Sequence, residues 1–287
     1  VQGAVPGDVV EARIVSEHKS FAEAQVTRVV EASADRTAPA DPELLASVEP
    51  WAILAYPAQL AAKRANVVDA LARNGGIPRA DAEKLVEEVR PSKRTYGYRN
   101  KLELAAFSDV AGRFQLGFRE QGAEECSAAK KCSLAVRPIE RAPKALTGAL
   151  RYMAGGQDLS IYRVGVRASL RTKSVEVALW TPPSAFPLGF AAKMLEEAIG
   201  ATSVVRVIAD PGSSRRVKRV EALSGKGFWL EEACGLSFSV SAPSFFQVNT
   251  AQAEALVKLA LEMAEVEEGS FVADVFAGAG MFSLPLA

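Results

Sequence analysis

The chain is poor in the residues that build metal and disulfide sites. A single histidine, His18, leaves no His-based metal site, and three cysteines with no C-x-x-C pair argue against a disulfide framework. No run reaches the ~18 apolar residues of a membrane helix, and the first residues lack the basic–apolar–small order of a signal peptide. A soluble, cytoplasmic protein with no membrane partner is the expectation. Net charge is absent too, with 34 basic and 34 acidic residues, which at face value weakens a nucleic-acid reading. What the chain does have is length and apolar content: 287 residues, 49% of them hydrophobic, enough for more than one core.

The charge that cancels overall is unevenly placed. From Arg90 to Lys173 there are 17 Lys/Arg against 7 Asp/Glu, so this segment carries +10 and the remainder −10. A second basic string, SSRRVKRVE, spans 213–221. Such asymmetry fits a phosphate-binding surface and equally a merely solvated basic face.

Residues 1–31 alternate apolar and polar side chains in GDVVEARIV and FAEAQVTRVV, as a hairpin of a small barrel would, and ASADRTAPADPE over 32–43 reads as a linker. The stripe Leu60, Arg64, Val67, Val68 and Leu71 predicts a helix, with Gly75 as its left-handed cap, and a shorter helix follows over 81–89. From Lys101 the period becomes two. KLELAAF, RFQLGFR and the pair within 162–180 predict strands, the last placing Arg163, Arg167 and Arg171 on one solvated face able to track a phosphate backbone. A helix ending at Gly200, strands in SVVRVIAD and GKGFWLEE, and the strand and loop of LSFSVSAPSFFQVN complete an α+β middle. Then comes a helix from Thr250, with Thr250 as N-cap and Glu254 near the capping-box position, followed by a buried strand SFVADVF and the turn AGAG.

A strand running into Gly-x-Gly opens a nucleotide-binding fold. A dinucleotide fingerprint asks for a third glycine, and counting from Gly278 and Gly280 its place holds Ser283. Adenosylmethionine sites use the same strand-to-loop geometry without a pyrophosphate to cradle, and Asp274 stands at the strand end where such sites often carry an acid. An ordinary tight βα turn stays open as the alternative. One helix upstream, Gln247 and Asn249 are amides in an aromatic setting with Phe245 and Phe246, suited to a flat heterocycle. A polar loop over buried phenylalanines is the plain reading of that string alone.

SFFQVNTAQAEALV, followed by VADVFAGAGMFSLPLA, resembles the junction into the catalytic domain of the adenosylmethionine-dependent RNA uracil-5-methyltransferases. GAVPGDVVEARIV resembles the later strands of their TRAM barrel, AYPAQLAAKRANVVDAL their Y-x-x-Q-L-x-x-K helix, YGYRNKLELAAF their Y-R-N-K strand and FQLGFRE their L-G-F strand. Five blocks in order span nearly the whole chain. The resemblance implies a multidomain α/β and α+β protein. A partial OB-like TRAM barrel would occupy 1–38 and a central α+β RNA-binding region 39–240, with helices over 58–90 as candidates to pack on the methyltransferase domain. The start of a Rossmann-like methyltransferase domain would occupy 241–287. Because the chain opens on Val1 and closes inside a motif, it is expected to be a fragment, truncated at both ends, of a longer and monomeric protein.

By the same resemblance S-adenosyl-L-methionine is the cofactor, held by Gln247, Asp274, Phe276, Gly278 and Gly280. RNA, ribosomal before transfer RNA, would meet Phe245, Phe246, Gln247, Asn249, Arg99, Lys101, Arg163 and Arg167. The family reaction adds a cysteine thiolate to uracil C6 so that C5 can take the methyl group, and a carboxylate then removes the C5 proton. Those two groups lie downstream in relatives, so no catalytic residue is nominated in this chain. Many relatives also hold a [4Fe–4S] cluster. Here Cys132, in KKCSL, stands at the place of the fourth ligand, while the stretch that should carry the other three has no cysteine, and one thiolate cannot hold a cluster. Two other readings stay open: an RNA-binding protein without catalytic power, and a nicotinamide-dependent oxidoreductase using the glycine loop.

Overall fold

A computed structural model describes every residue except 121, 123 and 213–215. The chain forms two compact units, Val1–Thr95 and Tyr96–Ala287. In the first, β1 (Val9–Glu17) and β2 (Ala22–Glu31) form the expected antiparallel hairpin, interrupted by register shifts. Asp8 ties its base. The carboxylate accepts from the backbone N–H of Val5 and Ser33, at 2.8 and 2.9 Å, and from the Arg36 guanidinium, at 2.6 to 3.1 Å. Of the partial barrel expected over 1–38, the described residues show this one hairpin. The hairpin is a two-stranded sheet whose Val9, Ile14, Val15 and Val30 stay exposed, because two strands alone cannot close a barrel or bury a face.

Two helices follow, α1 (Tyr56–Arg73) and α2 (Arg79–Leu85), and both cluster with the hairpin in the first unit instead of with the middle of the chain. Of the predicted stripe on α1 only Val68 is fully buried, and Val67 is exposed. The turn after α1 is left-handed at Gly76 (φ +66°), not at Gly75. Gly75 is needed for another reason: a Cβ there would stand 2.7 Å from the Leu71 carbonyl oxygen.

The second unit is built on a seven-stranded sheet. Its strands are β3 (Lys101–Ser108), β4 (Phe114–Arg119), β5 (Cys126–Ala128), β6 (Arg163–Ala168), β7 (Val175–Thr181), β8 (Ser203–Ile208) and β9 (Arg219–Gly225), in the order β5-β4-β3-β6-β7-β8-β9. All neighbours are antiparallel except β7 and β8. That parallel step needs a crossover, supplied by α4 (Leu188–Ile199) with Gly200 as its left-handed cap. Leu102, Leu104, Val164, Val166, Val177, Leu179 and Val204 are fully buried and alternate with the residues of the opposite face. Helix α3 (Ala142–Ala154) buries Leu146, Leu150 and Met153. The sequence reading assigns no element to this stretch, since Pro143 and the interior Gly148 obscure its helical stripe.

A separate hairpin, β10 (Trp229–Ala233) with β11 (Leu236–Val240), turns through Cys234 and Gly235, both at positive φ. Helix α5 (Thr250–Ala264) packs on it through Ala253 and Val257, within an apolar cluster of Trp229, Phe238, Val240, Phe246 and Met281. The chain ends in a one-turn helix, α6 (Ser283–Leu286). The strand expected in SFVADVF is absent: 271–276 makes no ladder, and Phe271, Val275 and Phe276 are exposed. An apolar run becomes a strand only where a neighbouring strand takes its N–H and C=O groups, and none among the described residues does. No helix among the described residues is long and apolar enough to cross a membrane.

Candidate functional site

One face of the large sheet carries charge in register. Lys101, Arg167 and Glu176 stand directly across from one another on β3, β6 and β7, and Arg163 faces Trp180 along the same two strands. The solvated arginine wall read from the sequence is not what forms. Arg167 is only 2% exposed. Its guanidinium donates to the carbonyls of Ser241 and Ser244, at 3.2 and 2.5 Å, and lies over the Trp229 ring. It is an internal strut that fixes the loop leading to Phe245, already committed and closed to a phosphate. Arg163 stacks 4.1 Å from the Trp180 ring centre and faces Glu103 at 3.5 Å. Arg171 is clamped by both oxygens of Glu254, at 2.6 Å each. Alternation read Arg167 as exposed because it cannot see that the loop at Ser241 and Ser244 folds over it; Arg163 is half-buried, and Arg171 stays exposed although paired.

Burial sets the electrostatics here. It pushes the Glu176 carboxyl up to about 7, with Arg167 and Lys101 opposing only in part. It also draws Arg167 and Lys101 below their ordinary values, for Lys101 against the pull of Glu103, which its ammonium meets at 2.8 Å. Glu103 itself is raised by burial but lowered on balance by Lys101 and Arg163. Arg99, half-buried, donates to the Lys101 carbonyl. Charge on this face is therefore largely internal. The basic string at 213–221 is also partly paired: its first three residues lie outside the described ones, while Lys218 meets Asp210 and Arg219 meets Glu221.

The amide-and-aromatic segment is held more firmly than its sequence suggests. Phe246 is buried in the apolar cluster, edge-on to Trp229 and Phe238, so it serves as an anchor and not as a stacking surface. Phe245, 72% exposed, is free to stack. Asn249, not Thr250, is the N-cap of α5, its Oδ1 accepting from the N–H of Gln252 at 3.1 Å. Its Oδ1 thus has a structural duty that the sequence reading did not assign. Glu254, expected near a capping box, instead takes Arg171 and the Cys234 N–H. Gln247 is half-buried, and among the described residues its side-chain amide has no protein partner.

The glycine loop sits against the same cluster. Met281 is a buried member of it, and Ala279 and Phe282 pack on its edge. Phe246 and Met281 therefore bring the Gln247 segment and the loop to one apolar base. Gly278 and Gly280 both adopt positive φ, +59° and +79°, as does Phe276 at +72°. Ser283, which occupies the place of a dinucleotide fingerprint's third glycine, donates to the Asp274 carboxylate at 2.5 Å. Phe276 is 98% exposed.

The thiols do not form a centre. Among the described residues no three His, Cys, Asp or Glu side chains converge to hold a metal. Cys132 is fully buried, Cys126 lies on the short edge strand β5 and Cys234 in the β10–β11 turn. A four-iron cluster needs four thiolates or their equivalents, and the chain has three cysteines spread over different elements. The residues present do not fit that group. Burial, reinforced by Glu254, raises the Cys234 thiol, the opposite of what an attacking thiolate needs.

No family model matches the chain. Its sequence does match curated proteins along its whole length. It is 29% identical over 304 residues to an uncharacterised RNA methyltransferase of Gloeobacter violaceus, covering 100% of this chain and 64% of that protein. It is 27% identical over 302 residues to the 23S rRNA (uracil(1939)-C(5))-methyltransferase RlmD of Shewanella amazonensis, covering 100% and 62%. The chain is a homologue of proteins named RNA methyltransferases. It spans a little under two thirds of their length. Among solved structures it superposes on the Pyrococcus abyssi tRNA (uracil-54, C5)-methyltransferase, determined in complex with S-adenosyl-L-homocysteine. The TM-score is 0.69 at 21% identity, covering 99% of this chain and 64% of that one, a likeness of fold.

Sequence reasoning missed the residues that hold this site together. Asn100, Glu231, Ser169 and Thr250 form one buried hydrogen-bonded chain from β3 through β10 to the start of α5. Only a polar residue at a strand position where its neighbours alternate apolar, such as Glu231 beside Trp229 and Ala233, hints at it.

Proposed function

We propose that this chain belongs to an enzyme that transfers a methyl group from S-adenosyl-L-methionine to C5 of a uridine in RNA, ribosomal RNA by preference. The observation that carries the reading is the shared apolar base of Phe246 and Met281, which sets an unpartnered amide, Gln247, beside a loop with two left-handed glycines. Names of homologues on both sides, one acting on 23S rRNA and one structural neighbour on tRNA, support RNA as the substrate class.

Bound there, the sulfonium supplies the electrophilic methyl group. The residues of the chain do the rest of what is assigned here. Gly278 and Gly280 let backbone approach the ligand without a Cβ. Gln247 offers both a donor and acceptors to a flat heterocycle, and Phe245 offers a face on which an extruded base can stack. Asp274 keeps an acceptor oxygen beyond its bond to Ser283. The nucleophilic thiolate and the base that removes the C5 proton are not assigned to residues of this chain. The domain limits, with a barrel-derived segment over 1–38 and the cofactor domain from 241, stay part of this proposal.

The test is methyl transfer by the complete protein from labelled S-adenosyl-L-methionine to ribosomal RNA, with the label recovered as 5-methyluridine. Gln247→Ala should lower transfer at least tenfold and weaken S-adenosyl-L-homocysteine binding in calorimetry. Salt-dependent RNA binding without any transfer would leave a binding protein only, and dinucleotide binding with indifference to the sulfonium donor would leave an oxidoreductase.

A further inference from the structure

Resting on the reading above, we infer that Asn100, Thr250 and Glu231 are positioning residues that hold the Gln247 amide in its working orientation. Two elements remote in sequence, the start of β3 and β10, converge on the four residues from Gln247 to Thr250. Asn100, at the start of β3, donates its backbone N–H to the Val248 carbonyl at 2.8 Å. Its Nδ2 donates to the Gln247 carbonyl at 2.9 Å and to Thr250 Oγ1 at 3.0 Å. The Thr250 hydroxyl has one proton, and it passes to Glu231 Oε2 at 2.9 Å. The other oxygen of Glu231 accepts from Ser169 Oγ at 2.6 Å and from the Glu232 N–H at 3.0 Å. Ser169 in turn takes the N–H groups of Arg171 and Thr172 in the β6–β7 turn.

Each member has one geometry that satisfies it, so the chain of bonds is directional. Asn100, Ser169 and Glu231 are almost wholly buried, and a buried polar network whose side-chain donors are all taken favours a single arrangement. The consequence falls on Gln247. Its backbone carbonyl is held from below by Asn100, its neighbour Phe246 is locked in the aromatic cluster, and Asn249 and Thr250 are fixed by the cap and by Glu231. Its side chain is left without a partner among the described residues. A ligand-reading amide on such a backbone binds without first ordering the segment, and loss of the network would restore that ordering cost to every binding event.

The experiment compares Thr250→Val, Thr250→Ser and Gln247→Ala in the complete protein, reading melting temperature, the Kd for S-adenosyl-L-homocysteine, KM and kcat for RNA, and hydrogen exchange over 247–253. Thr250→Val keeps shape and removes the hydroxyl relay. It should weaken S-adenosyl-L-homocysteine binding and raise KM about tenfold, equivalent to ~1.4 kcal/mol, with faster exchange over 247–253 that the ligand reverses. Thr250→Ser, which restores the relay, should bind within about twofold of wild type. Should Thr250→Val fail to fold, Glu231→Gln gives the same contrast by replacing one acceptor oxygen with a donor. Normal binding by a folded relay-deficient variant, where Gln247→Ala is impaired, would overturn the inference alone. Normal binding by Gln247→Ala as well would remove the functional reading on which it rests.

Discussion

Replacing Glu176 by glutamine should make the second unit more stable at neutral and alkaline pH, and the size of the effect follows from burial. Glu176 is 1% exposed at the centre of the sheet, and one of its oxygens has no hydrogen-bond partner among the described residues. Its carboxyl moves from an ordinary 4.5 to about 7. Below pH 4.5 the folded and unfolded chains both hold the proton, and no stability depends on it. Between 4.5 and about 7 the unfolded chain has released the proton while the folded one keeps it, so stability declines as pH rises. Above about 7 the decline is complete, at about 3 kcal/mol for a shift of this size. Glutamine mimics the protonated acid at every pH. Wild type and Glu176→Gln should therefore have similar urea midpoints near pH 4.5 and diverge upward from there, levelling off above about pH 7. Fluorescence of the buried Trp180 and Trp229 reports the second unit. Parallel midpoints from pH 5 to 8, or a variant less stable at pH 8, would show that Arg167 across the ladder compensates the charge fully and that the burial argument is wrong.

In the first unit the Arg36 guanidinium and two backbone N–H groups hold the Asp8 carboxyl far below its ordinary value of 3.8 despite some opposing desolvation. The stability it contributes is present above about pH 4 and is lost as pH falls below it, so hairpin amides over 9–31 should exchange faster in acid, and Asp8→Asn should show that fast exchange at neutral pH. Gly165→Ala should destabilise the second unit by about 1–3 kcal/mol, because the added Cβ would stand 2.8 Å from the Trp180 ring. An unchanged urea midpoint would mean that the ring has room to shift.

Much of the secondary structure could be read from the chain alone because it rests on local chemistry. The alternation in KLELAAF and RFQLGFR, the hairpin at 9–31 and the glycine cap at Gly200 are written in short-range pattern, and each forms as read. The positive φ of Gly278 and Gly280 is likewise a local property of the glycine loop. Pattern fails where a residue's surroundings come from far away. Arg167 reads as a surface cation and becomes a buried strut because Ser241 and Ser244, more than seventy residues on, fold over it. Phe246 and Phe245 are adjacent and identical, yet one is core and the other exposed, a choice made by Trp229 and Phe238.

What the amino-acid order determined by itself is the inventory: which segments alternate, which turns require glycine, and which side chains have the chemistry to meet a cofactor and a base. Tertiary structure decided the assignments within that inventory, choosing Asn249 over Thr250 as the cap, Asn100 and Glu231 as partners of the 247–250 segment, and Gln247 as the amide without a partner among the described residues. The physical reason is that hydrogen-bond satisfaction is a property of the assembled interior. A polar group's partner is whatever the fold brings within 3 Å, and neither its own neighbours in sequence nor its residue type fixes that choice.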